Sequence, residues 1–155
     1  MNTLKAGDPA PPFELLDQAG RPVHLSDFRG RKVLLYFYPK ADTPGCTAQS
    51  CSIRDALPDL SSLGVAAVGI SPDAPEDQKA FDEKYGLGFP LLADLGHSVA
   101  DAYGVWGECS LHGRKFIGLI RSSFLIDEDG RVIEAFYKIS PMDTVPKTRK
   151  ALEAA

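Results

Sequence analysis

Apolar runs along the chain predict the strands of a β-sheet. The longest run, residues 32–38 (KVLLYFY), is apolar, aromatic or β-branched almost throughout and is ended by Pro39. A run of this kind is typical of a strand that is buried on both faces, so we expect it at the centre of the sheet. Shorter runs predict further strands at residues 13–16, 23–25, 65–70, 91–93, 122–126 and 132–137.

Apolar positions spaced three to four residues apart predict helices between these strands. One helix is expected from Thr47 until a glycine at position 64 ends it, and its core-facing positions are Cys51, Ile53, Leu57, Leu60 and Leu63. Residues 73–76 (DAPE) resemble a capping box with proline in the first turn, which predicts a second helix that Gly86 ends. Further helices are expected at residues 98–103 and 144–154.

Two turn sequences predict antiparallel hairpins. Residues 17–20 (DQAG) separate the first two strands, and residues 127–130 (DEDG) separate the last two, with glycine where a positive φ is needed. Between the hairpins, the strand, helix and strand of residues 32–70 predict a βαβ unit with parallel strands. The expected fold class is α/β, with a central mixed sheet flanked by helices and an N-terminal β-hairpin, in an arrangement that resembles thioredoxin.

Length and composition fit one globular domain over residues 1–155, since 44% of the residues are hydrophobic and 25% are charged. The formal net charge of −4, without any cluster of Lys and Arg, argues against nucleic acid or an anionic membrane as a partner. The first residues lack the apolar stretch of a secretory signal, and no later stretch is long enough to cross a bilayer. We therefore expect a cytoplasmic protein.

The three cysteines are too few for a disulfide scaffold in a chain of this length, which indicates thiols that are kept reduced and used in chemistry. Cys46 lies where the loop after the central strand leads into a predicted helix. The unpaired N–H groups at a helix start carry partial positive charge, which favours the thiolate form of a cysteine placed there. Cys46 is therefore a candidate nucleophile.

The loop before Cys46 predicts a small pocket for an oxygen ligand. Gly45 lets backbone amides approach a ligand closely, while Pro39 and Pro44 restrict the conformations of the loop. Thr43 lies three residues before the cysteine, near enough for its hydroxyl to contact the sulfur or a bound hydroperoxide. Its alternative role is to cap the loop or the helix.

These residues form a known motif. The spacing Pro39-x-x-x-Thr43-x-x-Cys46 resembles the active-site motif of peroxiredoxins, and residues 43–51 (TPGCTAQSC) resemble the peroxiredoxin Q subfamily, also called bacterioferritin comigratory protein. Residues 85–86, 89–92, 102–107 and 121–127 resemble the same subfamily, so that the likeness covers nearly the whole chain. Gln49 departs from the pattern mildly, because many relatives carry an acid at this position.

The resemblance implies a thiol-dependent peroxidase that reduces hydrogen peroxide and organic hydroperoxides. Cys46 would be the peroxidatic cysteine, Thr43 would hydrogen-bond the reacting oxygens, and Arg121 would stabilise the thiolate and the developing negative charge. Together with Pro39 and Gly45 these residues would form the substrate site. No metal, haem or flavin cofactor is implied.

The resemblance also implies how the enzyme is recycled. Oxidation of Cys46 to a sulfenic acid would be followed by an intramolecular disulfide with Cys51, the resolving cysteine. Thioredoxin or glutaredoxin would then reduce the disulfide. Since members of this subfamily are often monomers, we expect a monomer.

The spacing of the two cysteines predicts a change in structure on oxidation. Cα atoms five residues apart in an α-helix are separated by roughly 8 to 9 Å, whereas a disulfide tolerates at most about 7 Å. The first turns of the helix must therefore unwind before Cys46 can bond to Cys51. We expect the oxidised protein to differ locally from the reduced protein.

Two alternative functions remain open from the sequence. A thiol–disulfide oxidoreductase of thioredoxin type normally has two cysteines separated by two residues, whereas four residues separate them here. A redox sensor would use the oxidised helix to bind a partner. Cys109 falls in a predicted loop at residues 107–113, outside the matching motifs, and is expected to be a spectator.

Overall fold

The computed structural model describes residues 3–154, and it confirms the predicted α/β class. Within these residues seven strands form a mixed sheet in the order β2-β1-β5-β4-β3-β8-β9, while β6 and β7 form a two-stranded ribbon. The strands in chain order are β1 (Glu14–Leu16), β2 (Pro22–His24), β3 (Lys32–Phe37), β4 (Val65–Ser71), β5 (Leu91–Ala93), β6 (Trp106–Leu111), β7 (Arg114–Leu119), β8 (Ser122–Ile126) and β9 (Val132–Phe136).

Four α-helices accompany the strands in the described part of the chain, namely α1 (Pro44–Ser62), α2 (Pro75–Tyr85), α3 (Ser98–Ala102) and α4 (Thr144–Ala154). Two short 3-10 helices lie at Leu25–Phe28 and Pro141–Asp143. The predicted N-terminal hairpin is confirmed, since β1 pairs antiparallel with β2, and so is the hairpin of β8 and β9. Within residues 3–154, no helix is both long enough and apolar enough to cross a membrane.

Strand β3 is the central strand, as the apolar run predicted. It pairs parallel with β4 on one side and antiparallel with β8 on the other. Its side chains from Val33 to Phe37 are at most 2% exposed, because one face packs with α3 and the other with α1, α2 and α4. This burial on both faces fixes the position at which the chain leaves the sheet toward α1.

Helix α1 begins three residues earlier than predicted. Pro44 is its first residue, and Thr43 is the N-cap in an extended conformation with φ −99° and ψ 156°. Proline suits this position because its missing N–H would be unpaired there anyway. The prediction that Leu63 faces the core is wrong, because this side chain lies at the C-cap and is 57% exposed.

The predicted capping box before α2 is not formed. The N-cap is Ala74, which has no polar side chain, and Asp73 lies one residue before this N-cap. The Asp73 carboxylate accepts hydrogen bonds from the Ala41 N–H at 2.7 Å and the Ser71 hydroxyl at 2.6 Å. The acidic residue therefore holds the loop before α1 instead of the start of α2. The predicted end of α2 at Gly86 is confirmed, with φ +57°.

The prediction of a loop at residues 107–113 is wrong, since most of this segment belongs to the ribbon of β6 and β7. The two strands pair in register from Trp106 with Leu119 to Leu111 with Arg114. His112 and Gly113 form the tight turn, with φ values of +52° and +78°. Two consecutive positive φ values suit the right-handed twist of a two-residue hairpin.

Candidate active site

Cys46 lies in the first turn of α1, two residues after Pro44. Its side chain is fully buried and packs in the core layer between the helix and the sheet. The unpaired N–H groups of the helix start lie within this same turn. The helix start therefore presents its partial positive charge to the Cys46 sulfur, which is shielded from bulk water.

Arg121 lies in the short connection from β7 to β8, and its side chain extends to Cys46. The guanidinium Nη2 donates a hydrogen bond to the Cys46 Sγ at 3.3 Å. The backbone of Arg121 is held in place as well, because its carbonyl accepts a hydrogen bond from the Ile139 N–H at 2.9 Å. A guanidinium keeps its proton at any physiological pH, so the sulfur faces a permanent positive charge.

Gly45 makes this approach possible. A Cβ atom added at this position would lie 3.1 Å from Arg121 Nη2 and 3.6 Å from the ring of Pro141. The first contact is tighter than ordinary van der Waals distance, so any larger side chain would displace the guanidinium. Gly45 therefore serves the site through the space it leaves for Arg121.

Thr43 is close to Cys46 in sequence, but its hydroxyl has another partner in this structure. It donates a hydrogen bond to the Lys40 carbonyl at 2.8 Å, which closes the loop on itself. The Thr43 carbonyl accepts the first hydrogen bond of the helix, from the Thr47 N–H at 2.8 Å. The structure thus shows the loop-capping role, with the hydroxyl proton of Thr43 directed to Lys40.

The loop between β3 and α1 is anchored at two adjacent residues. The Ala41 N–H donates to Asp73, as described above, and Asp42 has a φ of +60°. The Asp42 carboxylate accepts hydrogen bonds from the Tyr85 hydroxyl at 2.7 Å and the Lys84 ammonium at 2.9 Å. Both hydrogen bonds lower the pKa of Asp42, and the bond from Lys84 has the larger effect. The loop that delivers Cys46 is therefore tied to the end of α2.

Cys51 also lies in α1, which is continuous through both cysteines. Its side chain is half-buried and packs against the same core layer as Cys46, and both are free thiols. The structure is therefore that of the reduced protein with the helix start intact. A disulfide between these residues requires the unwinding that the sequence predicted.

Sequence reasoning missed two residues of the site. Gln49 was noted only as a neutral residue in place of an acid, but its side chain is fully buried and its Oε1 accepts a hydrogen bond from Arg121 Nη1 at 2.6 Å. Its Nε2 donates to the hydroxyl of Thr144, the first residue of α4, at 2.9 Å. No sequence signal indicated Thr144, because it meets Gln49 only through the fold.

An open groove of about 610 Å³ lies beside Arg121. Pro39 and Arg121 line one part of it, and residues of the β6–β7 ribbon line another, among them Leu111 and Phe116. The remaining lining residues are Ile120, Lys138 and Ile139. These two apolar side chains are 59% and 47% exposed. The predicted substrate residues Pro39 and Arg121 thus border an apolar surface that the sequence did not reveal.

Comparison of the sequence with known proteins identifies the family of this protein. A model of the AhpC/TSA family matches residues 6–135. The chain belongs to the AhpC/TSA family. Peroxiredoxin Bcp of Escherichia coli strain K12 is 53% identical over 136 residues, which cover 88% of this chain and 87% of that protein.

Solved structures agree with this assignment. Peroxidoxin BcpB of Mycobacterium tuberculosis superposes with a TM-score of 0.87 at 35% identity, covering 97% of each chain. The bacterioferritin comigratory protein of Xanthomonas campestris, described with an alkyl peroxide reduction activity, gives a TM-score of 0.85 at 30% identity over 92% of this chain and 90% of that one. The resemblance to peroxiredoxin Q and the thioredoxin-like fold are therefore confirmed, and the protein is a thiol peroxidase.

In this peroxiredoxin, Cys109 lies on β6 and faces the groove. Burial raises the pKa of the Cys109 thiol, although the Gly118 backbone and Lys138 partly oppose that effect. A raised pKa leaves less thiolate at neutral pH, and the thiolate is the reactive form. These surroundings fit the expected spectator, in contrast to the cationic surroundings of Cys46.

Proposed function

We propose that Cys46 is the peroxidatic cysteine of this thiol peroxidase and that Pro39, Thr43, Gly45 and Arg121 form its substrate site. The observation that carries the proposal is the 3.3 Å contact between Arg121 Nη2 and Cys46 Sγ in the first turn of α1. A fixed cation and the helix start both stabilise negative charge at this point, which attack on a peroxide requires.

The first step is nucleophilic attack on the hydroperoxide. The Cys46 thiolate attacks the terminal oxygen, and the O–O bond breaks with its electron pair moving to the leaving oxygen. The leaving oxygen takes up a proton and departs as water or an alcohol, and Cys46 is oxidised to the sulfenic acid. Arg121 stabilises the charge that develops on the oxygens, and the Thr43 hydroxyl turns from Lys40 to hold them in line.

The second step forms a disulfide between Cys46 and Cys51. After the first turns of α1 open, the Cys51 thiolate attacks the sulfenic sulfur, and the hydroxyl group leaves as water after taking up a proton. The half-buried position of Cys51 on the same helix supports this role, because opening a short segment brings the two sulfurs together.

Thioredoxin or glutaredoxin supplies the two electrons that return the disulfide to two thiols. Such a cycle needs a compartment in which dithiol proteins are kept reduced, so the proposal places the protein in the cytoplasm. The proposed cycle needs no second copy of the chain, because one chain carries both cysteines and Arg121, and we therefore propose a monomer.

The proposed substrates are hydrogen peroxide and organic hydroperoxides. The apolar groove beside Arg121 supports the second class, because an alkyl or aryl group bonded to the reacting oxygens needs an apolar surface, and the groove shares Arg121 with the Cys46 site. The alkyl peroxide reduction activity described for the Xanthomonas campestris relative supports it as well.

The test is turnover with single cysteine variants. Consumption of hydrogen peroxide and cumene hydroperoxide is followed for the wild type and for Cys46→Ser, Cys51→Ser and Cys109→Ser, with and without thioredoxin and its reductase. Thioredoxin-linked turnover is expected to be lost in Cys46→Ser and Cys51→Ser and retained in Cys109→Ser, the matched control. Equal activity of all four proteins would end the proposal.

A further inference from the structure

Gln49 occupies a special position in α1, between the two cysteines that form the proposed disulfide. It lies three residues after Cys46 and two before Cys51. Its side chain is fully buried, and both ends of the amide are used, the oxygen by Arg121 and the nitrogen by Thr144. The link from α4 through Gln49 to Arg121 therefore passes through the segment that must unwind.

The hydroxyl of Thr144 determines which end of the Gln49 amide faces Arg121. A guanidinium can only donate, so the amide must present its oxygen to Arg121. Its nitrogen then points to the opposite side, where the fully buried Thr144 Oγ1 accepts its hydrogen bond at 2.9 Å. Without that acceptor, the buried amide N–H would be unsatisfied or the amide would turn its donors toward Arg121, and either arrangement is unfavourable.

The orientation of Arg121 depends on this link. One guanidinium nitrogen donates to Gln49 at 2.6 Å and another to Cys46 Sγ at 3.3 Å, so that two points fix the plane of the group. Loss of the Gln49 contact leaves the long arginine side chain free to rotate about its contact with sulfur. Misplacement of a charged group by a fraction of an ångström weakens its stabilisation of a transition state.

The same link opposes the opening of the helix. When residues 46–51 unwind, Gln49 leaves its buried position, and its bonds to Arg121 and Thr144 break. The link therefore stabilises the folded state in which Cys46 meets peroxide, relative to the open state in which Cys46 meets Cys51. A helix start that opened too readily would lose the geometry of Arg121 before peroxide arrives.

We propose that Thr144 is a positioning residue that acts through Gln49, holding Arg121 over Cys46 and setting the balance between the folded and the open helix start. This inference rests on the proposed roles of Cys46, Cys51 and Arg121. Its effects on the two chemical steps have opposite signs. Loss of the Thr144 hydroxyl should slow the reaction with peroxide and speed the formation of the disulfide.

The test uses the two buried threonines of α4 as a matched pair. Thr144→Val removes the hydroxyl that Gln49 uses, and Thr144→Ser retains it. Thr148→Val, one turn further along, removes a hydroxyl that donates to the Thr144 carbonyl at 2.7 Å and leaves the Gln49 contact intact. Thr144→Ala, which needs less space than valine, is measured beside Thr144→Val as a second hydroxyl-free variant.

Both steps are followed in rapid-quench reactions with hydrogen peroxide, and thiol, sulfenic acid and disulfide are counted by mass. Thr144→Val is expected to slow sulfenic acid formation about tenfold, the factor for about 1.4 kcal/mol, and to speed disulfide formation. Thr144→Ser and Thr148→Val should match the wild type in both steps. Equal slowing of both steps, or the same change in Thr148→Val, would overturn the proposal.

A second variant separates positioning from general damage to the structure. The carboxylate in Gln49→Glu has two acceptor oxygens and needs no donor contact at Thr144, so it should hold Arg121 by itself. When Thr144→Val is added to Gln49→Glu, it should slow the peroxide step less than twofold, whereas it slows the step about tenfold in the wild type, so the two effects are non-additive. If Thr144→Val still slowed the peroxide step tenfold in the Gln49→Glu protein, the role of Gln49 would be refuted. Turnover that persists in Cys46→Ser would refute the proposed function separately.

Discussion

At the scale of single residues, the site depends on the space that Gly45 leaves for Arg121. We predict that Gly45→Ala slows the reaction of Cys46 with hydrogen peroxide by about tenfold or more, because the guanidinium must shift away from the added methyl group. The measurement is the second-order rate constant of the reduced protein. Gly96→Ala is the matched control, since a Cβ atom there would meet no heavy atom within 4 Å. Equal rates for Gly45→Ala and the wild type would contradict the close contact.

The thiol of Cys109 gives a prediction about pH. Burial raises the pKa of this thiol, so its neutral form persists at pH 7 and its thiolate appears only at higher pH. Alkylation of Cys109 by iodoacetamide should therefore be slow at pH 7 and should accelerate as the pH rises beyond 9. Peptide mapping at several pH values measures this. Labelling of Cys109 that is already fast at pH 7 and does not change with pH would contradict the assignment.

At the scale of elements, the proposed cycle gives α1 two roles, since it supports the reactive cysteine and then unwinds. We predict that oxidation by hydrogen peroxide accelerates amide exchange at the start of this helix, because a bond between Cys46 and Cys51 does not fit intact helical geometry. Hydrogen exchange of reduced and oxidised protein measures this by mass. Cys51→Ser is the control, since it forms the sulfenic acid without the disulfide and should keep its protection. Unchanged protection in a protein with a proven Cys46–Cys51 bond would refute the prediction.

The β6–β7 ribbon gives a prediction about substrates. Its exposed Phe116 lines the groove that also contains Arg121. Phe116→Ser should lower kcat/KM for cumene hydroperoxide about tenfold, because part of an aromatic contact surface is lost, and should leave the value for hydrogen peroxide unchanged. Leu95→Ser removes an apolar side chain that is 63% exposed and lies outside the groove lining, and it serves as the control. Equal loss for both substrates would show that the ribbon has no role in substrate choice.

The elements predicted correctly from the sequence are those whose apolar pattern or turn residues are clear within a few consecutive residues. The apolar run of β3 and the turn residues of the two hairpins determine structure over a few residues. The sequence did not predict the β6–β7 ribbon, because Gly107 and Gly118 interrupt its strand pattern and its exposed faces carry no continuous apolar run. The capping box before α2 failed because Asp73 instead bonds Ser71, two residues before it, and Ala41, which only the folded chain brings near.

At the scale of the whole molecule, the site joins three distant parts of the chain. The first turn of α1 carries Cys46, the β7–β8 connection carries Arg121, and the start of α4 carries Thr144. The local motif around Cys46 could be read from the sequence, and Arg121 could be named through a family resemblance. The contact between Gln49 and Thr144 could not be predicted, because the two residues are 95 positions apart and no local sequence pattern indicates that they are in contact.

The central claim is that Cys46 reacts with peroxide and that Cys51 resolves the product within one chain. The most direct measurement adds one equivalent of hydrogen peroxide to the reduced protein, blocks the remaining thiols and maps the products by mass. The account predicts one disulfide between Cys46 and Cys51 in a monomer, with Cys109 blocked as a free thiol. A disulfide that includes Cys109, a bond between two chains, or an unreacted Cys46 would contradict it.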